Sequence, residues 1–228
     1  MLRALILAIT VLFFPNWAFS GTLKGQVIYS GEDTFAAALK TGKYRKVCGK
    51  EIPNEKLIVK NQKLKNVVVY LQGENLGGEP GSFVLDQNKC RYEPHVIAMM
   101  KGSELVIRSS DPLNHNIHTY SFENDPINVM FTPGAPDFNQ EFYEPEIIKV
   151  ECDLHGWMTA WIVVTDNSFH SVSDETGSFE IPEVPPGKYT LTAWHETLGS
   201  ISREVQVGEG ETSIDFDFTG TAPQVSQR

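Results

Sequence analysis

Eight short runs of β-branched and aromatic residues constrain this chain most: 23–29, 67–71, 104–108, 147–151, 161–165, 178–181, 189–194 and 204–207. Each is cut short by Gly, Pro, Asn or Asp, and such runs read as strands bounded by turns. One short helix is expected at 34–40, and no pattern supports a long one. Short strands at this spacing predict an all-β chain built of sandwiches. The Pro-bearing connection 121–146 is too long for an idle loop in a compact domain.

The first twenty residues read differently. Arg3 supplies a positive start, residues 4–14 are an uncharged apolar run, and Ala18-Phe19-Ser20 supplies small residues before a cleavage point. That pattern predicts a secretory signal peptide removed before Gly21, and a periplasmic or secreted protein. The run is short for a bilayer span, which needs roughly 20 residues. Nothing later is apolar enough to span, so no membrane segment is expected after processing. Arg3 is the only charge removed, which leaves 18 basic and 29 acidic residues, a net of −11. That sign argues against nucleic acid and anionic lipid as partners. Residues 220–228 read as a tail.

In an oxidising compartment, Cys48, Cys90 and Cys152 must leave one thiol unpaired or bridge two chains. A metal would occupy such a thiol. Cys152-x-x-His155-x-x-Met158 places a thiolate, an imidazole and a thioether in one loop between the runs 147–151 and 161–165. These soft and borderline ligands suit copper far better than magnesium or calcium. Two His and one Cys with a distant axial Met is the set that tunes copper for one-electron transfer. The loop supplies three of the four, and the segment Ser110-Asp-Pro-Leu-Asn-His115-Asn-Ile-His118 offers the other His. Zinc also accepts Cys and two His, and the Met argues against it.

On these residues the segment 76–165 resembles the cupredoxins, the amicyanin- and plastocyanin-like blue copper domains. In that family an Asn follows the first ligand His, as Asn116 follows His115, and the Cys–His–Met loop comes later. The resemblance implies one copper ion per chain, held by His115, Cys152, His155 and Met158. It implies that Asn116 hydrogen-bonds across to the Cys loop and that His155 lies towards solvent as the electron exit. His118 would fall on the opposite face of an extended segment from His115, so one ion should not take both. With Cys152 given to copper, Cys48 and Cys90 remain as a disulfide pair. It would stabilise the chain by roughly 3–4 kcal/mol and tie the N-terminal segment to the copper domain. His95, His170 and His195 read as structural, although His195 would abut the copper site in an interleaved fold.

Residues 174–193 carry a turn, a strand, a Pro-Gly turn and a second strand whose alternate residues face one core. This stretch resembles the carboxypeptidase regulatory-like (transthyretin-like) sandwich, a smaller Ig-like fold. Gly25-Gln-Val-Ile-Tyr and Asn66-Val-Val-Val-Tyr-Leu71 fit its opening strands but stand at the other end of the chain. The expected organisation is therefore a cupredoxin Greek-key sandwich, 76–165, inserted in a second sandwich made of 21–75 with 166–219. A tandem of 21–165 and 166–219 is the alternative.

The function expected from all this is an exported type 1 (blue) copper protein, not an enzyme, that carries one electron to or from a redox partner such as a cytochrome or dehydrogenase. The competing readings are an extracytoplasmic binding or structural module, and copper storage or delivery drawing on His118, Met99 and Met100.

Overall fold

The computed structural model describes residues 20–30, 37–73 and 76–219. The expected signal peptide, the tail 220–228 and residues 34–36 of the expected helix lie outside them. The chain is all-β. Each of the eight runs forms a strand: Gly21–Ile28, Val68–Gln72, Glu104–Ser109, Glu146–Glu151, Thr159–Thr165, Ser178–Val184, Gly187–His195 and Gly199–Val207. No helix among the described residues is long and apolar enough to cross a membrane.

One local expectation is corrected, and the connection 121–146 is no idle loop. Leu39–Lys40 is extended and pairs with Glu51–Ile52, and the helical turns fall later, at Gly42–Tyr44 and Arg45–Cys48. Ile52 is buried at this small hairpin, and an extended partner strand is what brings it there. The connection 121–146 also contains two strands. Asn128–Phe131 pairs with His115–Tyr120, and Phe138–Glu141 pairs with Glu104–Ser109. Burial of Phe131 in the core fixes the first of these.

Two sandwiches result, each with its own core. One sheet runs Asn128–Phe131, His115–Tyr120, Glu146–Glu151, Thr159–Thr165, Val96–Met100; its facing sheet holds Phe138–Glu141, Glu104–Ser109, Ser82–Asn88 and Arg91–Glu93. Leu85, Leu105, Ile117, Phe131, Ile148 and Ile162 fill the space between them. In the other sandwich, Gly21–Ile28 pairs with Ser178–Val184, Gly210–Ser213 and Phe216–Asp217, whereas Val68–Gln72 lies between His170–Val172 and Gly187–His195. Its core is drawn from both ends of the chain, including Leu23, Val69, Phe179, Leu191 and Phe216. Gly25 is required there: a Cβ at that position would lie 1.9 Å from the carbonyl oxygen of Ile214.

Strand alternation explains how the sandwiches join. Ile97, Met99, Ile162 and Val164 point into the first core, whereas Val96, Ala98 and Val163 point the other way. Val69 and Leu71 enter the second core, and Val68 faces outward with Trp194. The outward sets pack on one another, with Trp161 and Trp194 edge to face at 5.3 Å between ring centroids. Glu196 crosses this junction to pair with His95 and to accept a hydrogen bond from Trp161 Nε1 at 2.9 Å.

His195 is buried against Phe218 in the second sandwich, away from the metal-ligand cluster. Its Nδ1 accepts the Thr197 N–H at 3.2 Å, a bond that protonation would remove. Burial lowers its pKa to about 4. Because the folded value lies below the unfolded one, the unfolded chain takes up the proton first as pH falls. This residue should therefore cost about 2–3 kcal/mol of stability between pH 6.5 and 4. Urea unfolding across that range should show a steeper acid loss for the wild type than for His195→Gln. Parallel profiles would exclude the effect.

Candidate metal centre

Register places the site. Antiparallel pairing sets Thr119 opposite Val150 and His118 opposite Glu151. Carried three residues further, it brings His115, at the start of its strand, level with the turn that follows Glu151. Thr119, Ile117 and His115 share one face of their strand, and Val150 and Cys152 continue the same face of the neighbour. All five are buried. The loop then folds through two tight turns: the His155 N–H donates to the Cys152 carbonyl at 3.3 Å, and the Met158 N–H to the His155 carbonyl at 2.8 Å. A bond from the Cys152 N–H to the Met158 carbonyl, 3.2 Å, closes its base.

His115, Cys152 and His155 come together so that their nitrogen and sulfur atoms all lie within 4.8 Å of one another. The two Nδ1 atoms are 3.0 Å apart, and the Cys152 Sγ is 3.7 Å from His155 Nδ1. Met158 is buried in the same apolar cluster as Cys152. A second group, Cys90, Asp111 and His115, shares His115, and its sulfur is committed to the disulfide.

Neighbouring groups fix which ring atom faces inward. Asp111 Oδ2 accepts the His115 Nε2–H at 3.0 Å and also the Cys90 N–H at 2.7 Å, and Oδ1 accepts the Lys89 N–H at 2.8 Å. The carboxylate thus holds the His115 tautomer that aims Nδ1 into the cluster. Burial opposes charge on His115, but the Asp111 bond and the Cys152 sulfur outweigh it and raise its pKa to about 9. Burial, and then repulsion from His115, lowers His155 to about 4. In the metal-free chain one proton therefore sits between the two Nδ1 atoms. Burial raises the Cys152 pKa, but the hydrogen bond from His115 and the N–H groups of Asn116, Leu154 and His155 bring it below the ordinary thiol value. Two imidazole nitrogens and a thiolate-prone sulfur converging on a proton make a donor set that fits a soft or borderline cation.

Asn116 clamps the loop. Its Oδ1 accepts the Asp153 N–H at 2.8 Å, and its Nδ2 donates to Asp153 Oδ2 at 2.8 Å and to Asn128 Oδ1 at 2.9 Å. Tyr92, which nothing in the sequence marked, donates its hydroxyl to the carbonyls of Asn116 (2.5 Å) and Glu151 (3.0 Å). Those carbonyls flank His115 and Cys152, so one buried phenol joins both ligand strands. His118 lies on the other face of its strand, donates to Asp153 at 3.0 Å and stacks on Tyr120. His170 sits beside Phe83 and, like His195, takes no part in the cluster.

His155 departs from expectation. It is 1% exposed, not turned to solvent. The edge of the Tyr44 ring covers it at 4.3 Å and Trp157 flanks it at 5.1 Å, centroid to centroid. The disulfide Cys48–Cys90 holds the segment that carries Tyr44, and Trp157 Nε1 donates to the Cys90 carbonyl at 3.1 Å. His155 Nε2 is buried without a hydrogen-bond partner among the described residues.

A family model described as "Polysaccharide lyase family 4, domain II" matches residues 145–214, a stretch running from the metal-centre sandwich into the second one. No curated protein matches. Solved structures similar to part of the chain include a copper-containing nitrite reductase from Thermus scotoductus, at 15% identity and a TM-score of 0.34. The similarity covers 38% of this chain and only 23% of the reductase. A purple cupredoxin from Nitrosopumilus maritimus is 18% identical with a TM-score of 0.31, over 38% of this chain and all of the cupredoxin. A Cu(I) amicyanin mutant is 17% identical with a TM-score of 0.34, over 42% of this chain and 97% of amicyanin.

Proposed function

We propose that this chain is an exported copper protein that holds one copper ion through His115, Cys152, His155 and Met158 and carries single electrons. The observation that carries the reading is the buried convergence of two Nδ1 atoms and one Sγ within 4.8 Å, beside Met158 in the same loop. Such a Cys/His/His set with a weak Met supplies copper's one-electron chemistry when the ion is bound. The chain's own part is to hold the donors at fixed separation through Asp111, Asn116 and Tyr92, so little rearrangement accompanies a change of charge. At 0–2% exposure, the four side chains leave no open position for a substrate, which favours a carrier over an enzyme. The same burial weighs against copper delivery, which needs accessible ligands. Residues 76–165 form the cupredoxin-like part in this reading, and 21–75 with 166–219 the supporting sandwich. Its redox partner is a protein such as a cytochrome or dehydrogenase in the periplasm or outside the cell.

One titration tests it. Purified protein given one equivalent of Cu(II) should develop an intense visible absorption from thiolate-to-copper charge transfer, and Cys152→Ser should stay colourless. A protein that takes up no copper, or that prefers zinc and remains colourless with copper present, would overturn the reading.

A further inference from the structure

The segment covering His155 carries a second property. Residues 40–50 contain Lys40, Lys43, Arg45, Lys46 and Lys50 and not one acid. Those five are drawn from the 18 Lys and Arg that remain once Arg3 is removed, leaving 13 cations against 29 acids elsewhere, a net of −16. All five side chains are exposed, and none pairs with a carboxylate among the described residues. Folding places this segment deliberately. The disulfide Cys48–Cys90 pins it near its C-terminal end to the sandwich that carries His115 and Cys152, and Arg91 pairs with Glu55 at 3.3 Å just beyond it. Ile52 to Lys56 form one wall of a small cleft whose other wall is Trp157, Met158 and Thr159. Tyr44, half-buried, is the link between cations and ligand: its ring touches His155 below, and the Lys43 ammonium lies 5.0 Å from its centroid.

We infer that residues 40–50 are the docking surface for an acidic electron-transfer protein, received over Tyr44 and Trp157 so that the one electron gained or lost by the site is lost or gained by that partner. The inference rests on the copper reading for the purpose of the contact, but not for its chemistry. A half-buried Tyr44 ring, with the Lys43 ammonium over it and exposed Arg45 and Lys46 next in sequence, matches the apolar centre and charged rim of a protein interface. Opposite charge on the partner raises the association rate and orients it. A compact protein touches only this patch. An extended polyanion or an anionic membrane would also meet the net −16 of the rest of the chain, which disfavours both.

The test is a binding measurement on the metal-free protein, which keeps it independent of copper. Calorimetry with cytochrome b5, an acidic electron-transfer protein, should show binding at low ionic strength that fades with added salt. Lys43→Glu/Lys46→Glu should weaken it at least tenfold, and each single reversal several-fold. Lys188→Glu, an exposed cation of the other sandwich, should leave it unchanged, and basic cytochrome c should not lose affinity on reversal at Lys43 and Lys46. Equal affinity for cytochrome b5 in wild type and double reversal would overturn the surface, even in a protein that turns blue with copper. Loss of binding to phosphatidylglycerol vesicles, with cytochrome b5 unaffected, would also overturn it and assign the patch to a membrane. A colourless protein whose cytochrome b5 binding depends on Lys43 and Lys46 would instead sink the copper reading and keep the surface.

Discussion

Cys48→Ser/Cys90→Ser should unfold in urea with about 4 kcal/mol less stability than the wild type, the chain-entropy value for a bridge closing 42 residues. The larger consequence is local. Without the bridge, the segment carrying Tyr44 loses its one covalent tie and keeps its short hairpin, the Arg91–Glu55 pair and the Thr197 bond to Lys56, so the cover over His155 loosens. Burial is the first cause of the low His155 pKa, so release should move its titration up from about 4 towards the ordinary histidine value. Proton NMR of the metal-free variant would follow this directly. A His155 that still titrates near 4 without the bridge would show that Trp157 and the loop bury it unaided.

Asp111→Asn should lower copper affinity about 10- to 100-fold, the usual cost of removing the partner that orients a ligand histidine. The comparison belongs above pH 9, where His115 has already lost its proton and competition from that proton no longer differs between the two proteins. Asparagine fits the space but replaces a charged acceptor with a neutral one, weakening its hold on His115 Nε2–H and on the N–H groups of Lys89 and Cys90. The visible absorption should survive, since Cys152 is untouched. Undiminished affinity at that pH would mean that the strand alone orients His115.

What the sequence disclosed, and what it hid, follows from the range of the interactions involved. Period-2 patterns are local, so strands such as Gly187–His195 announced themselves. The Cys152–Met158 loop was equally plain, because three ligand types within seven residues need no tertiary information. Asn128–Phe131 was concealed by its mixed face, since only Phe131 is buried among four residues. Asp111 offered a faint signal, a carboxylate four residues before a candidate ligand, but the N–H groups of Lys89 and Cys90 that position it come from another strand pair. Tyr44 offered none. It stands 111 positions from His155, and only a disulfide joining two loops brings the rings together. A sequence could supply that pairing by elimination, yet not which histidine the bridged segment would cover.

The pairing of Gly21–Ile28 with Ser178–Val184, Gly210–Ser213 and Phe216–Asp217 carries a consequence for the order of assembly. A chain made from its N-terminus holds its first strand with one short early partner, Lys63 opposite Ile28, until residues 178–217 exist. The strands bearing His115 and Cys152 find all their neighbours between Ser82 and Thr165 and can pair sooner. The far end of the covering segment is fastened late as well, by the hydroxyl of Thr197 donating to the Lys56 carbonyl at 2.8 Å. The covering segment and its anchor Cys90 are thus made before either ligand strand, and the last residues add only a clasp at Lys56.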